Sequence, residues 1–246
     1  AAARSPVTLP SIVSAARRLG REAGALRFGP PVAYVYNPLE YARLPHERYL
    51  QEFGTGRKRI VLLGMNPGPW GMAQTGVPFG EITMVTEWLR IRAPVGQAPP
   101  GHPRVPIRGF DCARHEVSGT RLWGWLKGRY GTAAAMAREL FVSNYCPLMF
   151  LDAAGRNLTP DRIARADQPA LFEVCDRFLL AVLKSTAPEW LVGVGKFAEG
   201  RARAATQRAD LDVKVISILH PSPANPQSNK DWAATVMGTF FSERVF

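Results

Sequence analysis

RIVLLG (59–64) is a short, unbroken apolar run closed by glycine, and the turn residues Met65-Asn66-Pro67-Gly68-Pro69 follow it at once. A run of this kind suits a strand buried on both faces, as in a parallel sheet. Three further runs share the pattern: LFVSN (140–144), WLVGVG (190–195) and VKVISIL (213–219). Helical patterns lie between them. The clearest spans 168–184, where Leu171, Val174, Cys175, Phe178, Leu179, Val182 and Leu183 recur at three- and four-residue spacing. Others are predicted at 81–92, 118–129, 196–209 and 229–244, the last led by Asn229. Ile12, Ala15, Ala16 and Leu19 form the stripe of an amphipathic first helix within 10–28, after which Pro30-Pro31 opens an irregular stretch. Strands alternating with helices predict an α/β fold, a mainly parallel sheet covered on both faces.

A chain of 246 residues, 46% hydrophobic, can bury a sizeable core within one large domain. Residues 1–8 read as a flexible tail without a signal-peptide core, and no apolar run approaches the roughly 20 residues of a membrane span. A soluble, intracellular protein is expected, with no membrane association. The formal charge of +11 comes mostly from arginine, which forks onto phosphate and stacks on bases. Nucleic acid is the natural acidic partner, although an Arg- and Ala-rich composition also follows from a GC-rich genome. Three widely spaced cysteines, Cys112, Cys146 and Cys175, are too few for a four-thiolate cluster and point to a reducing compartment. Neither HxxxH nor HExxH spacing occurs, and no metal or other cofactor is expected. The longest proline-rich segment, 94–108, is a loop of a length that compact domains seldom keep without a use.

In parallel sheets, ligands bind beyond the carboxyl ends of the strands, where neighbouring loops converge. Asn66 follows the first run, Asn144 ends the second, Lys196 follows the third and His220 the fourth. Singly, each asparagine reads equally as a turn former and His220 as a core histidine. Together they place two amides and an imidazole at one crevice. No carboxylate sits in these loops before Glu81, so the paired acids of ordinary glycosidases are not visible.

GMNPGPWGMAQTGVPFGE (64–81) and HPSPANPQSNKDW (220–232) closely resemble the two active-site motifs of the single-strand-selective monofunctional uracil-DNA glycosylases, within the uracil-DNA glycosylase superfamily. EVSGTRLWGW (116–125), SNYCPL (143–148), GRNLTP (155–160) and VGVG (192–195) resemble that family in the same order. The resemblance implies one glycosylase domain over 1–246, a three-layer fold with a central four-stranded parallel sheet flanked by helices, and a monomer acting on DNA. Cytoplasmic location would follow for a bacterial source and nuclear for a eukaryotic one.

The implied reaction hydrolyses the N-glycosidic bond of uracil and 5-substituted uracils such as 5-hydroxymethyluracil, in single- and double-stranded DNA, and so initiates base-excision repair. Asn66 matches the asparagine that holds the attacking water; an amide accepts a hydrogen bond from water but cannot take its proton. His220 matches the histidine that hydrogen-bonds uracil O2 as charge grows there. Asn144 matches the base-reading amide, giving to O4 and accepting from N3. Phe79 matches the stacking aromatic. Met65 lies where backbone meets the base, and Gly68 leaves room beside C5.

For DNA, the resemblance and the charge together implicate Arg156, Asn157, Thr159, Arg162 and Arg165, with Thr159-Pro160 read as the start of a helix. In the second motif they implicate Ser222, Ala224, Asn225, Gln227 and Lys230. Ala224 departs from the pattern: it stands where the family carries a basic wedge residue. A glycosylase favouring xanthine or hypoxanthine, and a damage-binding module without turnover, are the alternatives.

Overall fold

The computed structural model describes residues 11–246, so the expected tail at 1–8 lies outside the described residues. In chain order the elements are α1 (Ile12–Ala25), β1 (Tyr34–Tyr36), α2 (Pro38–Tyr41), α3 (Arg43–Phe53), β2 (Ile60–Gly64), α4 (Met72–Thr75), α5 (Val117–Tyr130) and α6 (Ala133–Ala137). Then follow β3 (Leu140–Asn144), β4 (Met149–Leu151), β5 (Asn157–Leu158), α7 (Gln168–Thr186), β6 (Trp190–Val194), α8 (Lys196–Arg208), β7 (Lys214–Ile218) and α9 (Trp232–Ser242).

The four apolar runs are the four strands of one parallel sheet in the order β3-β2-β6-β7. Leu62 faces Val142 on one side and Val192 on the other, and Gly64 pairs with Asn144 at the carboxyl end. β2, β3 and β6 are buried throughout, which is why they carry no polar alternation. Helices flank the sheet in a three-layer α/β fold. Gly193 lets α8 lie directly on β6, since a Cβ there would fall 2.4 Å from the Glu199 amide nitrogen. On edge strand β3 the Val142 carbonyl accepts from the Tyr49 hydroxyl at 2.7 Å.

The stretch after Pro30-Pro31 is not irregular. It holds β1, α2 and α3, and β1 pairs with β4, itself paired with β5, in a small antiparallel sheet. His46, Tyr49, Leu50 and Phe53 make the buried face of α3, a stripe masked in sequence by the charged residues between them. The proline-rich segment hangs on this second sheet and on α4. His102 N donates to the Tyr36 hydroxyl at 2.7 Å, Tyr36 donates to the Val105 carbonyl at 3.1 Å, and Gln74 bridges the Pro106 carbonyl and Arg108 N.

Three helix boundaries differ from expectation. Thr159-Pro160 opens only one turn, closed by Arg162 N on the Thr159 carbonyl, and no helix continues from it. The helix starts at Gln168, with Pro169 in its first turn. Asn229 ends a short 3-10 turn, Pro226–Asn229, and Asp231 caps α9 through its side chain. The expected 81–92 helix is reduced to a short segment dominated by a π-turn, Met84–Trp88, which Glu81 caps by accepting from Met84 N at 2.9 Å.

Candidate active site

The carboxyl ends of β2, β3 and β7 deliver the candidate residues. Gly64 ends β2, and a Cβ there would lie 2.2 Å from Asn144 Oδ1 and 2.5 Å from the Phe79 ring. The glycine therefore lets the amide and the aromatic ring close on the same strand end. Phe79 holds a left-handed backbone, φ 51°, which costs a non-glycine residue about 1–3 kcal/mol. α5 secures it: Trp123 Nε1 donates to the Phe79 carbonyl at 3.0 Å, and Gly119 presses so close that a Cβ would fall 2.2 Å from that oxygen. The Phe79 ring centre lies 6.1 Å from that of His220.

Asn144 is buried, and its two amide atoms are in different states. Nδ2 lies 3.2 Å from Met72 Sδ, a group that can only accept, while Oδ1 has no partner. A buried acceptor left unpaired is costly, and the cavity that Asn144 lines with Met72 holds only about 10 Å³. Asn66 is oriented similarly: Nδ2 donates to the Leu148 carbonyl at 3.2 Å, and no hydrogen bond within the described residues reaches its Oδ1. The Met65 carbonyl is taken by Cys146 N at 2.8 Å.

At His220, Nδ1 accepts from Ser222 N at 3.1 Å, so the neutral ring carries its proton on Nε2. Burial pushes the imidazole down to about 4, which keeps it neutral at physiological pH. The loop behind it is braced from several sides. Ser228 donates to the His220 carbonyl at 2.5 Å, Trp232 Nε1 to Leu219 O at 2.8 Å, and Arg121 of α5 to Pro221 O and Asn229 Oδ1, both at 2.9 Å.

The expected DNA-contacting residues fall into two groups. Asn225 accepts from Gln227 N and Ser222 from Ala224 N, so both shape the loop; Ala224, Gln227 and Lys230 are exposed on it. Arg156 is exposed yet tied to Asp152 at 2.7 Å, Asn157 is exposed on β5, and Thr159 is half-buried. Arg162 and Arg165 are exposed without an ion pair among the described residues. Arg156 also lines a cleft of about 390 Å³ with Trp70, Arg104 and Arg114, and the Arg114 guanidinium lies 4.4 Å over the Trp70 ring. Sequence reasoning missed Arg104, Arg114 and Trp70, although Trp70 adjoins the first motif.

It also missed a carboxylate. Glu116, immediately before α5, fills the space beside Gly68: a Cβ on that glycine would fall 2.2 Å from Oε1. The room expected at Gly68 is thus already occupied. Trp70 N donates to Glu116 Oε2 at 3.2 Å, and burial pushes the carboxyl up to about 7. Two larger clefts, about 620 Å³ near Asn37 and about 700 Å³ along α1 and α7, contain none of the candidate residues.

A parallel α/β sheet whose strand ends bring together a buried amide, a neutral imidazole and an aromatic ring fits the DNA glycosylase class. A family model described as the Uracil DNA glycosylase superfamily matches residues 51–237. The chain belongs to that superfamily, in its single-strand-selective monofunctional branch. Its relatives include the single-strand selective monofunctional uracil DNA glycosylases of Mus musculus and Bos taurus. Each is 44% identical over 217 residues, covering 88% of this chain and respectively 78% and 80% of those proteins. The crystal structure of wild-type Pedobacter heparinus SMUG2 shares the fold, with a TM-score of 0.68 at 18% identity over 96% of this chain and 99% of that one.

Proposed function

We propose that this chain is a monofunctional glycosylase that hydrolyses the N-glycosidic bond of uracil, and of 5-substituted uracils such as 5-hydroxymethyluracil, in single- and double-stranded DNA. The observation that carries this reading is the pairing of a neutral, Nε2-protonated His220 with the unpaired Asn144 Oδ1 around Phe79.

A base in a duplex must first be flipped out, at a few kcal/mol of unstacking. The extruded uracil stacks on Phe79, N3–H donates to Asn144 Oδ1, and O4 accepts from Nδ2. Cytosine presents the opposite pattern, and Met72 Sδ opposes the flip that would accommodate it. As the bond to the sugar lengthens, charge moves into the ring and the His220 Nε2–H bond to O2 strengthens. That gain toward the transition state is what makes the contact catalytic. Asn66 Oδ1 accepts from the attacking water and aims it at the oxocarbenium-like sugar, without removing its proton. Lys196, the lysine that follows a sheet strand, is paired with Glu199 at 2.8 Å, so strand cleavage through an amine is not part of the reading.

Arg162, Arg165, Gln227 and Lys230, with the arginine-lined cleft at Trp70, supply contacts to the DNA backbone. Glu116 beside Gly68 narrows the space for C5 substituents and for larger deaminated purines alike. The test is an oligonucleotide with one uracil: the protein should leave an abasic site that alkali cleaves and should not nick the strand itself. Undiminished release by both Asn66→Ala and His220→Ala would overturn the residue roles.

A further inference from the structure

α5 reaches both halves of the site. Gly119 presses on the Phe79 carbonyl and Trp123 Nε1 donates to it, so these two residues, four apart on one face, serve the aromatic ring. Arg121, two residues from each, leaves the helix on another side and reaches the loop after β7. It is half-buried, makes no ion pair among the described residues and gives its hydrogen bonds to neutral groups: Nη1 donates to the Pro221 carbonyl and Nη2 to Asn229 Oδ1, each at 2.9 Å. Asn229 extends the grip, its Nδ2 donating to the Pro223 carbonyl at 2.8 Å.

The Pro221 carbonyl matters because of what shares its peptide unit. The bond to Ser222 is trans and planar, so the Pro221 oxygen and the Ser222 N–H project from opposite edges of one rigid plate. Arg121 holds the oxygen. The N–H donates to His220 Nδ1 at 3.1 Å, the bond that leaves the ring proton on Nε2. Rotation of the plate would swing that N–H off Nδ1 and free the imidazole to turn or to exchange tautomers.

We propose that Arg121 is a positioning residue for His220: by fixing the Pro221–Ser222 peptide plane it holds the imidazole in the orientation and tautomer that donate to the base. The inference rests on the role of His220 proposed above. Through Asn229 the same guanidinium keeps the loop carrying Ala224 in register with the ring. Because α5 also secures Phe79, one helix sets the stacking ring and the Nε2 donor relative to each other. A donor turned away forfeits a bond that strengthens in the transition state, so the loss falls on kcat rather than on DNA binding.

The test measures single-turnover release from a single-stranded uracil oligonucleotide, with Arg121→Met and Asn229→Leu each made in the wild-type and His220→Ala backgrounds. Arg121→Met should slow release about 10- to 100-fold, the cost of a displaced reacting group, with affinity for the DNA within a few-fold. In the His220→Ala background the same substitution should change the rate by no more than about twofold, since the residue through which it acts is gone. Asn229→Leu alters an exposed position and should show the same pattern on a smaller scale; it supplies the comparison if thermal unfolding shows Arg121→Met to be misfolded. Equal losses in both backgrounds overturn the assignment, and an accompanying drop of about 0.7 in the salt slope of DNA binding makes Arg121 a phosphate contact instead. Rates within about twofold of wild type in both single variants overturn it as well. Wild type releasing no uracil overturns the proposed function, and undiminished release by His220→Ala overturns the role of His220; in either case this inference falls with them.

Discussion

Asn66 donates its amide hydrogen to the Leu148 carbonyl at 3.2 Å, and that single bond decides which end of the amide is offered to a ligand. With Nδ2 committed, Oδ1 remains to accept from water. Asn66→Ala should lower kcat by about 100-fold, the usual cost of a misplaced reactant, with KM within a few-fold because the base is held elsewhere. Single-turnover base release checks this; a loss confined to KM would contradict a water-positioning role.

In the proposed reaction His220 is a neutral donor, so its pH dependence has a definite sign. With its value at about 4, the ring is neutral above that pH and charges only as pH falls through it. The rate controlled by this residue should therefore be flat from pH 6 to 8 and change near pH 4. A working imidazolium would instead lose activity as pH rose through about 6.5. His220→Ala should cost about 100- to 1000-fold in kcat at pH 7.5.

His46 makes stability depend on acid. Its Nδ1 pairs with the Gly76 carbonyl at 2.7 Å, Nε2 is unpartnered, and burial pushes the ring from 6.5 down to about 4. The unfolded chain then binds more protons between those values, so the stabilisation is complete above about 6.5 and is lost as pH falls toward 4. One such group accounts for at most about 3 kcal/mol. Urea unfolding at pH 7 and pH 4.5 should show a smaller difference for His46→Gln than for wild type, with the remainder including His220.

Met72→Leu keeps the apolar volume but deletes the sulfur that accepts from Asn144. The amide then loses the partner that opposes its flip, and the KM for uracil should rise about 3- to 10-fold, the equivalent of one ordinary hydrogen bond. Competition by free uracil and free cytosine should show the selectivity between them narrowing.

Ala224 leaves the exposed tip of the His220 loop without a filling side chain. Ala224→Arg should raise activity on duplex substrate several-fold relative to single strand, by offsetting part of the unstacking cost of a few kcal/mol. Parallel assays on matched single- and double-stranded uracil substrates measure the ratio.

Much of the frame was legible because each buried parallel strand must be an unbroken apolar run. LFVSN coincides with β3 residue for residue, and RIVLLG with β2 to within one. Asn66, Asn144 and His220 were legible for a related reason, since each stands where such a run ends. α3 was not, because its stripe is sparse among charged residues. The turn at Thr159 was misread because a Thr-Pro pair opens a single turn as readily as it opens a helix.

By itself the sequence determined the strand runs, their parallel arrangement and the residues at their exits, since burial on both faces leaves a direct trace in hydrophobicity. Only the tertiary structure decided how those residues are presented. Met72 and Leu148 orient the two amides, burial neutralises His220, and a helix start distant in sequence seats Glu116 against Gly68 and Gly71. Orientation and protonation depend on which groups lie within a few ångströms, and hydrophobic periodicity carries no record of those neighbours.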